Sequence, residues 1–419
     1  MPSWYSRAAK RIPDPTGPYN VGCFDFMCNY ENQSPATKGS FLRLFYPAKS
    51  EENLSESERL HRQAYWFPKN EYFRGLVGFM NLPRWLGRLL SWSVGHVRIP
   101  ATMSLPLSTS PDLPSRLPCI VFSHGLGGNR LLYSTYCCEL ASHGCIVAAV
   151  EHRDLSASAT YVLNKDEHTS AVKEEWLDFY HRDPNDNEFQ LRNSQVRSSN
   201  VVKSVNQLLT FLSIFRVAQH LKTSLKIAHW TWACLREDLM LTDLQLLDTH
   251  LEVRQWLQLW PGKNDLVHSI NLVARCGVAL DVWMLPLDED IRKQDLTQPL
   301  LFINTYHFHN WRDNADALRK FIDVKPDTRP VIAVRRTTHM SQCDVPFLLG
   351  FYVSKFKEWK SDHLAPEIAD GLFKKAMWAF ITRHLAIGEP LTHEPIIDGG
   401  ENIPENVIIG FENESDSKL

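Results

Sequence analysis

Short apolar runs recur along the chain, and each ends at a turn or at a polar residue. The clearest runs are LPCIVF, GCIVAAV, RCGVALDVWMLPL, PLLFINTYHF and PVIAVRRTTH. Apolar runs of this length, bounded by turn residues, are typical of fully buried strands. Between the first two runs, residues 130–143 have apolar positions at helical spacing. A strand, a helix and a strand within about forty residues predict a βαβ unit, and therefore a parallel sheet covered by helices.

The segments around these runs predict the domain organisation. Residues 1–40 are rich in Pro, Gly and Asn, so we expect an irregular lead-in, whereas the acidic segment 391–419 predicts a disordered tail. Residues 41–390 are expected to form one α/β domain. Within it, residues 221–274 crowd four tryptophans into a stretch without a clear period, which we interpret as helical.

Composition is that of an ordinary soluble globular protein, with 44% hydrophobic and 22% charged residues. The net charge of -3 argues against a nucleic-acid partner, since no basic excess is available to displace counterions. The nine cysteines form no C-x-x-C pair with zinc spacing, and several lie inside apolar runs. We expect no metal and no cofactor, and we expect the cysteines to be buried and reduced.

Location is predicted from the cysteines and from the absence of targeting patterns. The first residues contain no apolar core of signal-peptide length. The sequence has no run of 18 or more apolar residues, so we expect no transmembrane helix. Reduced cysteines indicate a reducing compartment. The expectation is a cytoplasmic protein.

An amphipathic segment precedes the first buried run. Trp85, Leu86, Leu89 and Leu90 recur at helical spacing, with arginines on the flank. Such a stripe is more often part of a core, but tryptophan, leucine and arginine also suit a helix that lies on a lipid surface. We therefore keep peripheral membrane contact as a hypothesis.

Three strand ends carry residues that could take part in chemistry: residues 124–128, Asp281 and His339. Ligands and catalytic groups gather at the ends of strands in open α/β sheets. A carboxylate that orients a histidine base is what ester hydrolysis needs. The glycines of SHGLGG could turn backbone N–H groups towards an oxyanion, although a plain tight turn is the alternative, and His124 is expected to orient this loop.

Several segments together resemble one family. They are FSHGLGGNRLLYS, ELASHGCIVAAVEHRDLSASATY, TGPYNVGCFDF, FLRLFYP, RCGVALDVWMLPL, LLFINT and the TTH that ends at His339. These segments are similar to those of the platelet-activating-factor acetylhydrolases. The resemblance covers most of residues 16–200 and 275–390, and it implies an α/β-hydrolase fold: a mostly parallel central sheet with helices on both faces.

The resemblance also implies an activity and its residues. The family consists of calcium-independent serine esterases that release acetate or short oxidised acyl chains from the sn-2 position of phospholipids. On this basis Asp281 corresponds to the triad acid, His339 to the base, and Leu126 to the residue whose N–H supplies half of the oxyanion hole. The helix around Trp85 corresponds to a segment that secreted members use to contact lipid surfaces. Because no signal-peptide pattern is found, the chain resembles the intracellular member more than the secreted ones.

The chain departs from the family at the nucleophile. No G-x-S-x-G is present, and no two of the 19 glycines lie four positions apart. In the nearest remnant, LVHSIN, Ser269 follows His268, but Val267 and Asn271 stand where glycines would be. Those glycines let the nucleophile elbow hold its serine in a strained conformation. Ser269 is therefore a doubtful nucleophile.

Spacing opposes Ser269 as well. A crossover between parallel strands needs about a dozen residues, but Ser269 lies only seven positions before Cys276 at the start of the acid's strand. Local loss of the elbow between residues 221 and 274 fits this pattern, through exon skipping, a gene-model error or decay. The alternatives are a non-catalytic lipid-binding relative and, more remotely, an unrelated enzyme that uses Ser123 or Ser156.

Overall fold

The computed structural model describes residues 11–28, 40–50, 55–113, 117–153, 155–165, 172–180, 244–249, 274–285, 298–348, 363–385, 387 and 393–411. These residues belong to two compact units. The amino-terminal unit is Ile12–Thr242, and the carboxyl-terminal unit is Asp243–Leu419 together with Met1–Arg11. Each unit contains strands and helices, and each is described by itself.

The amino-terminal unit contains eight described strands and four helices. They are β1 (Asn20–Cys28), β2 (Ser40–Ala48), α1 (Glu56–Arg62), β3 (Gln63–Tyr65), α2 (Asn70–Phe79), α3 (Trp85–Val94), β4 (Arg98–Met103), β5 (Cys119–Ser123), α4 (Ser134–Ser142), β6 (Ile146–Glu151), β7 (Ala159–Lys165) and β8 (Val172–Asp178). Within this unit the strand order is β5-β6-β2-β1-β4-β3, while β7 and β8 form a separate antiparallel hairpin.

The predicted βαβ unit is β5–α4–β6. The two strands are parallel, with Ile120 opposite Val147, and every residue of both strands is buried. Because both faces of such strands are covered, their sequences are continuous apolar runs rather than alternating patterns. This explains why β5 and β6 could be predicted from the sequence.

The carboxyl-terminal unit contains a second set of elements. They are β9 (Leu244–Thr249), β10 (Ala274–Leu280), β11 (Leu300–Thr305), α5 (Tyr306–His309), α6 (Arg312–Asp323), β12 (Val331–Val334), α7 (Pro366–Leu385), α8 (Pro395–Asp398), β13 (Val407–Ile409), and the 3₁₀ helices Pro326–Thr328 and His339–Gln342. The strand order is β13-β12-β11-β10-β9. Strands β9 to β12 are parallel and β13 is antiparallel, so the carboxyl ends of β10 and β11 lie side by side.

The structure corrects three sequence predictions. The lead-in contains β1, which pairs with β2 over nine residues. Asp25 of β1 lies opposite Arg43 of β2, and this cross-strand ion pair offsets the low strand propensity of aspartate. The tail contains α8 and β13, because β13 pairs with β12. Segment 221–274 includes the strand β9, where pairing with β10 overrides the helical preference of leucine and glutamine.

The remaining expectations on organisation have separate outcomes. Apart from β9 and Ala274, segment 221–274 lies outside the described residues, as do residues 412–419. One domain over residues 41–390 stays a prediction. In the described part of the chain, no helix combines the length and the apolar character needed to cross a membrane.

Candidate active site

Asp281 follows the last residue of β10 and is completely buried. Its φ of 48° is left-handed, a conformation that aspartate tolerates better than most residues but that still costs energy. The backbone N–H of Asp281 donates to the carbonyl oxygen of Ile303 at 3.1 Å. The strained residue is thus held by the ladder to β11, and its carboxylate lies at the carboxyl edge of the sheet.

Thr305, the last residue of β11, donates two hydrogen bonds to this carboxylate. Its backbone N–H lies 2.6 Å from Oδ1 of Asp281, and its hydroxyl oxygen lies 2.7 Å from Oδ2. Both residues are buried, and hydrogen bonds to a carboxylate are among the stronger ones in proteins. Thr305 therefore holds both oxygens of the Asp281 carboxylate in place.

His339 lies next to the same carboxylate. It opens the 3₁₀ helix His339–Gln342, which is capped by Thr338 and tied to β11 by a 2.9 Å hydrogen bond from Gln342 Nε2 to the Ile303 carbonyl. Nδ1 of His339 is 2.9 Å from Oδ2 of Asp281. Because a carboxylate only accepts, Nδ1 carries the proton, and Nε2 is the basic nitrogen of the neutral ring.

The loop that contains Leu126 is fixed by His124 in the amino-terminal unit. His124 Nε2 accepts from the backbone N–H of His152 at 3.1 Å, so its Nδ1–H donates to the Gly125 carbonyl at 2.8 Å. The peptide group between Gly125 and Leu126 is trans, and its C=O and N–H point in opposite directions. By holding the carbonyl inside, His124 turns the Leu126 N–H the other way.

Gly127 closes the turn after Leu126. Its φ is 72°, its N–H donates to the Ser156 carbonyl at 2.8 Å, and a Cβ here would overlap the ring of Phe79. Only glycine meets both demands without strain. In the described residues no acceptor is bonded to the Leu126 N–H, and the Leu126 side chain is 39% exposed. This N–H is suited to receive an oxyanion.

Arg130 anchors the far end of this loop in a buried cluster of charges. Its guanidinium contacts Glu151 at 2.5 Å, Asp25 at 3.2 Å and the Tyr72 hydroxyl, and Arg43 forms a bidentate pair with Asp25. Burial alone would raise the pKa of Asp25, but the charges of Arg130 and Arg43 outweigh that effect and lower this pKa. The cluster ties Arg130, at the end of the loop, to Asp25 in β1 and Glu151 in β6.

The predicted site residues therefore fall into three groups. The structure brings Asp281 and His339 together in a hydrogen bond, as their predicted roles of acid and base require. Leu126 lies in the other unit, and Ser269 with His268 lies outside the described residues. The catalytic roles of these residues stay predictions.

Other residues of the site escaped sequence analysis. The sequence singled out LLFINT as a strand but not the role of Thr305, which depends on sheet register, nor that of Phe308, whose ring centroid is 5.8 Å from that of His339. The alternative nucleophiles Ser123 and Ser156 are both buried, with the Ser123 hydroxyl 2.8 Å from His152 Nε2. In the described ranges, no three His, Cys, Asp or Glu side chains form a metal-binding group.

Comparison with solved structures defines the class of protein. A ferulic acid esterase from Streptomyces cinnamoneus superposes with a TM-score of 0.62 at 15% identity, covering 96% of this chain and 99% of that chain. The chain thus has the α/β-hydrolase fold.

Sequence comparison defines the family. The family model for platelet-activating factor acetylhydrolase, isoform II, matches residues 5–394. The platelet-activating factor acetylhydrolase of Canis lupus familiaris is 33% identical over 410 residues, which cover 97% of this chain and 85% of that protein. That of Gallus gallus is 32% identical over 413 residues, with 96% and 89% covered. The chain belongs to the platelet-activating factor acetylhydrolase, isoform II, family.

Proposed function

We propose that the site of this chain takes glycerophospholipids with an acetyl or other short acyl group at sn-2, such as 1-alkyl-2-acetylglycerophosphocholine. The observation that carries the proposal is the hydrogen bond from His339 to the buried Asp281 at the end of β10. In a family whose relatives are named platelet-activating factor acetylhydrolase, such a pair supports calcium-independent ester hydrolysis.

Each group has one task in this reaction. His339 Nε2 would take the proton of an attacking serine hydroxyl and later return it to the leaving alcohol. Asp281 would keep the ring in the correct tautomer and stabilise the imidazolium. The Leu126 N–H would donate to the oxyanion of the tetrahedral intermediate.

We further infer that this form of the chain lacks the nucleophile. Strand β9, the parallel neighbour of β10, ends at Thr249, and the first serine after it is Ser269, twenty positions later. Ser269 comes five positions before β10 begins, whereas Asp281 follows the end of β10. Loss of a triad serine lowers turnover about a millionfold. Hydrolysis of a phospholipid ester by this chain should be negligible.

Two origins are open for this loss. One is a decayed, non-catalytic relative that still binds lipid, and the other is a splice or gene-model variant of an active esterase. A full-length transcript that covers residues 221–274 distinguishes them, because only the second origin predicts a longer transcript that encodes a G-x-S-x-G.

Helix α3 supports contact with a lipid surface. Trp85, Leu89 and Trp92 are 61%, 51% and 86% exposed and lie on one helix face, while Leu86 and Leu90 are half-buried. Exposed arginines at positions 84 and 88 flank this face and can interact with lipid phosphates. We propose peripheral membrane contact through α3. The cysteines of the described ranges are buried thiols, which supports a cytoplasmic location.

The test separates binding from hydrolysis. The purified chain is mixed, with a calcium chelator present, with a 1-alkyl-2-acetylglycerophosphocholine whose acetyl group is radiolabelled. Equilibrium dialysis should show that the intact lipid binds, and acetate release should not exceed that in buffer. Absence of binding would contradict the proposed substrate, and acetate release above buffer would contradict the proposed loss of catalysis.

A further inference from the structure

Thr305 contacts Asp281 because of sheet register. Leu280 is opposite Ile303 in the parallel pair of β10 and β11, so Thr305 lies two residues beyond that pair, at the edge where Asp281 follows β10. From this position its N–H reaches Oδ1 of Asp281 at 2.6 Å.

The hydroxyl of Thr305 makes two contacts of defined polarity. A carboxylate cannot donate, so the single hydroxyl proton goes to Asp281 Oδ2 at 2.7 Å. The hydroxyl oxygen also accepts from the Phe308 N–H over a long 3.5 Å, as the cap of α5. One buried side chain thus links the acid to the helix that carries Phe308.

Phe308 in turn packs against the base. Its ring centroid lies 5.8 Å from that of His339, with the ring planes tilted by 45°. The contacts therefore form a closed circuit from Asp281 to Thr305, Phe308, His339 and back to Asp281. Displacing Thr305 would disturb both members of the pair.

We propose that Thr305 is a positioning residue that fixes the Asp281–His339 pair. The χ2 torsion of aspartate has a broad, two-fold preference, so an unheld carboxylate can turn Oδ2 away from the imidazole. Thr305 occupies both oxygens and prevents this rotation, and in the described residues the only other donor to the Asp281 side chain is His339. The catalytic importance of Thr305 rests on the proposed function, but its effect on the pair does not require an active enzyme.

The experiment observes the His339 Nδ1–H by proton NMR on a chain labelled with ¹⁵N-histidine. In the wild-type chain this proton should give a downfield signal that exchanges slowly with water. Thr305→Val keeps the shape but removes the hydroxyl, and exchange should become roughly tenfold faster, as expected for losing a hydrogen bond to a charged group. Thr305→Ser restores the hydroxyl and should stay within about twofold of wild type.

Controls keep the result specific. Thr382→Val removes another buried threonine hydroxyl, which donates to Trp378 in α7, and should leave the His339 signal unchanged. Thr305→Cys retains a weak donor of similar size and should show an intermediate exchange rate, and it replaces the valine variant if that variant does not fold.

The outcomes distinguish this proposal from the proposed function. A wild-type chain without a protected His339 Nδ1–H would contradict the acid–base pair itself, and the proposed function with it. A protected signal that keeps the wild-type exchange rate in folded Thr305→Val, or in Thr305→Cys, would overturn the role of Thr305 alone.

Discussion

Nδ1 of His339 lies 2.9 Å from Oδ2 of Asp281, although 58 positions separate the two residues along the chain. Only the parallel arrangement of β10, β11 and β12 brings them to the same edge of the sheet. The residues predicted to be the acid and the base thus lie together in a chain without a G-x-S-x-G.

The buried charge cluster predicts acid-sensitive stability. In Asp25→Asn, Arg43, which is 2% exposed, loses the carboxylate that binds it, and breaking such a buried pair costs about 3 kcal/mol. The folded-state pKa of Asp25 is lowered, so its contribution is complete above the unfolded value of about 4 and is lost as the pH falls below it.

Urea unfolding at pH 7 and at pH 3 checks this prediction. The wild-type chain has a higher free energy of unfolding than Asp25→Asn at pH 7. This difference should be smaller at pH 3. Equal differences at both pH values would contradict the assignment to Asp25.

The turn after Leu126 predicts a strong effect of one methyl group. Gly127→Ala places a Cβ in the ring of Phe79 at a φ of 72°, which should cost about 1–3 kcal/mol and loosen the loop. Gly78→Ala in α2 is the matched control, because its Cβ meets no atom within 4 Å and should stabilise the helix by up to about 1 kcal/mol. Thermal unfolding of both variants tests the contrast, and the same sign for both would refute it.

The exposed face of α3 predicts binding to anionic phospholipid vesicles. Trp92→Glu removes the most exposed aromatic residue of that face and adds a negative charge, so vesicle affinity should fall roughly tenfold or more. Leu60→Glu removes an exposed apolar residue of a different helix, α1, and should bind like wild type. Cosedimentation with vesicles measures both, and equal losses would exclude α3 as the specific contact.

The cysteines predict low thiol reactivity. Burial raises the pKa of the Cys119 and Cys343 thiols to about 12, so hardly any thiolate exists at neutral pH. Iodoacetamide should therefore modify neither residue in the native chain at pH 7.5, and both after denaturation, as read by peptide mass spectrometry. Rapid native modification of either thiol would show that its surroundings are not closed.

Burial on both faces decided which parts of the fold could be predicted from the sequence. Strands β5 and β6 are buried on both faces and apolar up to their last residues, Ser123 and Glu151, and the sequence therefore identifies them. Strand β1 escaped prediction because it contains Asp25, which becomes acceptable there through its ion pairs with Arg43 across the strands and with Arg130. Its strand character depends on a pairing that no local pattern reveals.

The candidate site divides in the same way. Asp281 and His339 stand in the recognisable sequence segments RCGVALDVWMLPL and PVIAVRRTTH. Both residues could therefore be matched to those of a known family from the sequence. Thr305 closes an ordinary apolar run, and its role arises from its register against β10, which is a property of the folded sheet. Strand β9 depends likewise on its pairing with β10.

The most direct test of the central claim, an intact acid–base pair without a nucleophile, is labelling with a fluorophosphonate followed by peptide mass spectrometry. Fluorophosphonates react with a serine that a histidine base activates. The platelet-activating factor acetylhydrolase of Canis lupus familiaris is the positive control and should be labelled. We predict no covalent label on any serine of this chain, Ser269 included. Label on Ser269 that disappears in Ser269→Ala, together with esterase activity, would contradict the claim and identify a working enzyme.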